Sequence, residues 1–220
     1  MGLGRREFMK LIGLALAGTT IDPLKAIAIN QNYYVNKKFG LILEKPDNWD
    51  FVSHKDFGKL KEVQLLSDDY EPIKDEVWEE LTDPILTIAK YGLNDDRYKC
   101  KFSPAINIWI NQKTEIEEDL YDSFREIAEE SFIGIQQIIK DFEVIQDVTP
   151  CVISNSEAYE TKSRWLYVNT ECNISVTCDM WSFLVDHGDH YYGINMIDSK
   201  DIGENENGTF DEFIKTVKLS

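Results

Sequence analysis

The chain has 220 residues, of which 23 are Lys or Arg and 40 are Asp or Glu, a formal charge of −17, with 43% hydrophobic and 29% charged residues. This is the composition of a globular protein and excludes collagen, coiled coil and a disordered chain. The acidic excess argues against nucleic acid and against adsorption to an anionic membrane, since both rely on clustered Lys and Arg, and no apolar run reaches the roughly 18 residues of a membrane-spanning helix.

The first residues carry the layout of an export signal. Arg5 and Arg6 precede Phe8 and Lys10, and the apolar stretch Leu11 to Gly18 follows. A charged n-region, a short h-region and a small-residue exit are the parts of such a signal, and the Arg-Arg-x-Phe-x-Lys pattern resembles the twin-arginine signal of bacteria. Gly2, Gly4, Gly13, Gly18 and Pro23 make a poor amphipathic helix of the same segment. Ala26-Ile27-Ala28 offers an A-x-A cleavage site, so residues 1–28 are expected to be signal and residues 29–220 a single domain. The signal holds Arg5, Arg6, Lys10 and Lys25 against Glu7 and Asp22, a net +2, which leaves −19 on the remainder. The expected location is the periplasm or the medium of a bacterium, with no membrane span in the mature chain. Cargo of the twin-arginine route folds before export.

Phe39 to Glu44 reads as a strand, followed by a turn at Pro46-Asp47-Asn48 ahead of Trp49. Val63 to Leu66 reads as a short strand and Asp75 to Leu81 as a short helix, with Val77, Trp78 and Leu81 on one face. Ile85 to Tyr91 and Ala105 to Ile110 are β-rich. In the second, Ile106, Ile108 and Ile110 alternate with Asn107 and Trp109, so one face is buried.

A long helix is expected from about Glu115 to Asp141. Thr114 would be its N-cap and Glu117 its N3, a capping box. Ile116, Leu120, Phe124, Ile127, Ile135, Ile138 and Phe142 form its apolar stripe, and Glu118, Asp119, Asp122, Glu126, Glu129 and Glu130 its acidic side. That side reads as a solvated surface or as a dock for a basic partner. A β-meander follows in Val144 to Val148, Ala158 to Val168, Ile174 to Val185 and His190 to Ile197. A second helix closes the chain, with Thr209 expected as N-cap, Glu212 as N3, and Phe210, Phe213, Ile214 and Val217 on its buried face. Alternating strands and helices followed by a run of strands imply an α+β fold, a mostly antiparallel β-sheet flanked by helices.

Cys100, Cys151, Cys172 and Cys178 allow three pairings in an oxidising compartment. Cys172 and Cys178 are the least suited to each other. The strand between them spans roughly 20 Å, whereas bridged Cα atoms sit about 5.5 Å apart. No CxxC or zinc spacing is present, so the four read as buried thiols or one structural disulfide.

Asp186-His187-Gly188-Asp189-His190 concentrates two imidazoles and two carboxylates at a tight hairpin turn. Imidazole nitrogen and carboxylate oxygen ligate zinc and other divalent ions, so Asp186, His187, Asp189 and His190 are candidate metal ligands. A hairpin tip alone explains the same residues, since Asp, Gly and His are common in turns. No GxSxG, GxGxxG or P-loop occurs, and Glu171, Asp179, Glu204 and Glu206 have no better claim to acid–base chemistry than other carboxylates. Tyr159, Trp165 and Tyr167 share parity along one strand, with Trp181, Phe183, Tyr191 and Tyr192 on the next two. They are core if both sheet faces are covered and a binding patch if one is open.

The opening strand and turn Phe39-Gly40-Leu41-Ile42-Leu43-Glu44-Lys45-Pro46-Asp47-Asn48-Trp49, the strand Ser103-Pro104-Ala105-Ile106-Asn107-Ile108 and the closing helix Phe210-Asp211-Glu212-Phe213-Ile214-Lys215-Thr216-Val217-Lys218-Leu219 resemble the PsbP-like superfamily. Its members are α/β/α sandwiches named after an extrinsic protein of photosystem II, and include a Ran-binding nuclear import factor and many exported bacterial proteins. The likeness covers most of residues 33–219. It implies a non-catalytic protein that works by binding and scaffolding. The expectation is therefore an exported binding or assembly accessory protein acting through a protein partner, with a divalent ion as candidate ligand. The alternative is a metal-assisted hydrolase using the Asp186–His190 turn.

Overall fold

Two antiparallel sheets carry most of the described residues. The computed structural model describes residues 27–29, 32–52, 84–91, 100–115, 121–138, 141–170, 172–201 and 206–220. Arg5, Arg6, Phe8, Lys10 and Ala26, and the expected elements at Val63–Leu66 and Asp75–Leu81, lie outside the described residues. Strands β1 (Ile27–Ile29), β2 (Tyr33–Asn36), β3 (Leu41–Glu44) and β11 (Lys218–Leu219) form the smaller sheet in the order β1-β2-β3-β11. Ala28, in the expected cleavage site, pairs with Val35 in it. The larger sheet contains β4 (Asp50–Val52), β5 (Leu86–Ala89), β6 (Ala105–Gln112), β7 (Glu143–Ile153), β8 (Ser156–Asn169), β9 (Ile174–His187) and β10 (His190–Ser199). Its order is β4-β5-β6-β10-β9-β8-β7. The expected meander is present, and the fold is α+β with a mostly antiparallel sheet.

Strand alternation sorts the residues of the larger sheet between two faces. On one face lie Ile106, Ile108, Ala158, Phe183, Val185, Tyr192, Ile194 and Met196, packed against Tyr34, Leu41 and Leu43 of the smaller sheet and Phe210 and Phe213 of helix α2 (Asn207–Thr216). The other face meets helix α1 (Phe124–Ile138), where Ile127, Ala128 and Phe132 pack on Leu184 and Tyr191. Beside it Trp165 and Tyr167 cluster with Phe102, Cys178, Met180 and Ile197. Of the aromatics of β8, Trp165 and Tyr167 are thus core, and Tyr159 is half-buried and meets Phe124 edge-on at 5.3 Å. Gly40, at φ +62, closes the turn between β2 and β3, where an added Cβ would stand 2.2 Å from the Ser220 carbonyl oxygen.

Both helix starts differ from expectation. Lys113–Glu115 is a 3-10 turn after β6, and α1 begins only at Phe124. A second S-x-x-E signature starts it: the Ser123 hydroxyl accepts the Glu126 N–H at 3.3 Å, and Glu126 Oε2 accepts the Asp122 N–H at 2.7 Å. The Lys113 N–H donates to the Asp189 carbonyl at 3.0 Å, and its ammonium pairs with Asp186, which holds this segment to the β9–β10 turn. Thr114 therefore does not cap the helix. In α2, Thr209 is inside the first turn and Glu206 is the N-cap, without a side-chain capping bond. The Glu206 carboxylate instead meets Lys90 Nζ at 2.5 Å, with both side chains largely buried. The Thr216 hydroxyl accepts the Glu44 N–H at 3.2 Å and so fixes the end of α2 on β3.

Cys100 and Cys172 form a disulfide, with Cα atoms 4.9 Å apart. It joins the segment before β6 to the turn between β8 and β9. Cys151 and Cys178 are free. Among the described residues no helix is long and apolar enough to cross a membrane.

Candidate functional site

The Asp186–His190 turn is a two-residue hairpin with Gly188 at φ 59, the left-handed first position of a type II′ turn. His187 and His190 are direct cross-strand partners, so they share a face. That face looks toward the smaller sheet. His187 Nδ1 lies 2.7 Å from the Ser156 hydroxyl, and burial lowers the pKa of its ring. His190 meets the Phe39 ring edge-on at 5.3 Å. Tyr192, two residues on, donates its hydroxyl proton to the Phe39 carbonyl at 2.5 Å, and burial pushes its pKa up to about 12. Asp186 points to the opposite face, where it pairs with Lys113 at 2.6 Å, and Asp189 is exposed.

The four candidate ligands are therefore not gathered on one centre. Among the described residues no group of three or more His, Cys, Asp or Glu could hold a metal ion. The reason is alternation: adjacent residues of a strand leave it in opposite directions, so five consecutive residues cannot converge without a longer loop. The turn is a joint between two sheets. Nucleophilic sulfur is suppressed as well. Burial raises the Cys151 thiol to about 11, and burial raises Cys178 further. Both thiols stay protonated and inert at neutral pH.

A groove of about 250 Å3 opens elsewhere, where β7 to β10 meet the first turn of α2. Ile145, Trp181, Met196 and Phe210 give it apolar walls, and Lys162, Asp179, Asp198 and Lys200 give it charge. Asp179 is held by Arg164 through two hydrogen bonds of 2.6 and 2.9 Å, with Lys200 at 3.7 Å. Asp198 accepts backbone N–H groups from Ser199 at 2.7 Å and Glu206 at 2.9 Å. Burial, its largest influence, still raises its pKa. Lys162 Nζ stands 3.8 Å from the centre of the Trp181 ring, a close cation–π contact. The Trp181 indole N–H is buried without a protein acceptor.

The groove draws on four strands and a helix, and no short motif announces it. The only signal in the sequence is parity: Lys162, Trp181, Met196 and Asp198 fall on one face once the strand register is known. Next to it lies an apolar edge. Val144, Ile145, Val152 and Leu166 are the exposed large hydrophobic residues among those described, and all four belong to β7 and β8. β7 is an edge strand of the larger sheet, opposite β4, and seven of its 11 residues are exposed.

No family model and no curated protein matches the chain. Solved structures do. The cyanobacterial PsbP of Synechocystis sp. PCC 6803 is similar over 93% of this chain and 99% of its own, at 9% identity and a TM-score of 0.49. LpqN, involved in cell envelope biogenesis of Mycobacterium tuberculosis, is similar over 82% of this chain and 83% of its own, at 11% identity and a TM-score of 0.43. A protein of Bacteroides thetaiotaomicron VPI-5482 is similar over 82% of this chain and 45% of its own, at 8% identity and a TM-score of 0.42. A PsbP, whose family the opening strand and closing helix resemble, is thus among the solved structures similar to this chain. At such identities no residue role passes from them to it.

Proposed function

We propose that the chain is an exported, non-catalytic binding or assembly accessory protein of the bacterial periplasm or medium, acting through a protein partner. One observation carries this reading: the exposed large apolar side chains among the described residues all fall on the edge strand β7 and its neighbour β8. Scattered apolar residues on a surface need no account, but beside the unpaired backbone groups of an edge strand they suit a protein contact. The edge is also protected against uncontrolled pairing. β7 carries Pro150 and its register with β8 shifts between Val144 and Thr149, devices that blunt a strand for indiscriminate addition. Side chains, rather than main-chain ladder bonds, would then select the partner.

Export rests on residues 1–28, read as a twin-arginine signal, and the Cys100–Cys172 disulfide suits an oxidising compartment. Residues 29–220 act as one domain. The test places a photo-crosslinking side chain at Ile145 or Leu166 in the full chain expressed in its own host, with Asp211 on the exposed side of α2 as control. A discrete protein adduct from the first two sites and not from the third is expected. The same adducts from all three sites, or none from Ile145 and Leu166, would refute the reading.

A further inference from the structure

We propose that the groove at the start of α2 is a binding site for a small organic carboxylate with an apolar body, its head held by Lys162 and its body against Ile145, Met196 and Phe210. This goes beyond the protein-partner reading and does not depend on it. The argument starts with charge. Arg164 is committed to Asp179, Lys90 to Glu206 and Lys113 to Asp186. Among the described residues no carboxylate pairs with Lys162, whose ammonium rests on the Trp181 ring. A cation held on an aromatic face at the rim of an apolar groove, with no counter-ion among the described residues, is completed by an incoming carboxylate.

Trp181 and the first turn of α2 complete the lining. The Trp181 side chain lines the groove, and its indole N–H is buried with no protein acceptor. α2 has 10 residues, and its N-cap side chain, Glu206, is turned to Lys90 rather than to the helix. Asn207 and Phe210 of that turn line the groove. The positive end of the helix dipole at this turn favours an anion. The two carboxylates of the lining do not oppose one. Asp179 is compensated by Arg164 and Lys200. Asp198 lies among backbone N–H donors, and burial favours its neutral form. Size sets the class. At about 250 Å3 the groove is smaller than the roughly 300–1,000 Å3 of sites for drug-sized ligands, so it suits a compact acid.

The test is calorimetric titration of the full chain with 1-naphthylacetate, and with the neutral 1-naphthylacetamide as its isostere. Saturable binding at one site per chain is expected for the acid, with the amide about tenfold weaker or more, the loss that follows from removing a charge-assisted hydrogen bond. Lys162→Gln should weaken the acid by a similar factor and leave the amide unchanged, while Lys162→Arg retains the acid. A melting temperature equal to that of the parent shows that the variants are folded. No saturable binding of the acid overturns the proposal, as does equal binding of acid and amide, or a Lys162→Gln chain that binds the acid as tightly as the parent. Crosslinking from Leu166 reports the protein partner separately, so either reading can fail alone.

Discussion

Replacing both Cys100 and Cys172 by Ser removes one covalent tie across a sequence separation of 72 residues. In the chain-entropy account a bridge stabilises by restricting the unfolded chain, and a loop of this length is worth about 4 kcal/mol. The native state loses little else. Cys172 sits in a turn held independently by its own N–H to Asn169 Oδ1 at 2.9 Å and by the Asn173 N–H to the Thr170 carbonyl at 3.2 Å. The whole effect should therefore fall on stability and none on the fold. For a chain of this size 1 kcal/mol corresponds to roughly 2–4 °C, so the double variant should melt about 8–16 °C below the oxidised parent. Differential scanning calorimetry measures this, and reduction of the parent should reproduce the loss. Non-reducing peptide mapping checks the pairing first. A drop of less than about 3 °C, or a map that joins Cys172 to Cys151 or Cys178, would refute the reasoning.

Two further outcomes are expected. His187 has its pKa lowered mainly by burial, against an ordinary value of 6.5, so the unfolded chain takes up a proton there more readily than the folded one. Its contribution to stability is complete above 6.5 and is lost as the pH falls below it. His187→Gln should flatten the fall in melting temperature between pH 7 and pH 5, and an unchanged pH profile would contradict the burial of the ring. Ser163 and Ser182 are each 1% exposed and their hydroxyls have no protein partner. Ser182→Ala removes an unsatisfied polar group in a tightly enclosed site beside Phe132 and Met180, and should raise stability by about 1 kcal/mol, roughly 2–4 °C. A loss of similar size would show that the hydroxyl has a partner.

The meander was legible because its residues alternate and its turns are short. Asn155 and Gly188 supply the left-handed positions that two-residue hairpins need, and the buried sides of β8 and β9 follow from parity. The helix starts were not. Thr114-x-x-Glu117 and Ser123-x-x-Glu126 are equal signatures, and the choice between them depends on Lys113, which contacts Asp186 and Asp189 far along the chain. In α2 the same competition was decided by Lys90, which takes the Glu206 side chain away from its helix. The histidine turn misled for a related reason. Proximity in sequence suggested convergence, while alternation across the hairpin sends Asp186 and His187 to opposite faces. The groove could not be read at all, since Ile145 and Phe210 are neighbours only after five elements have assembled.

The strand order has a consequence for how the chain is made. β10 is the last long strand to leave the ribosome, yet it stands at the centre of the larger sheet, between β6 and β9. Until residues 190–199 are available, β6 and β9 each present an unpaired edge, and Ile106, Ile108, Phe183 and Val185 have no cross-strand partner on that side. Closure of the larger sheet must therefore follow synthesis of β10, and chains stalled before it are the species most exposed to aggregation. A route that accepts only finished cargo would impose a useful delay, since a chain lacking its central strand cannot pass as complete.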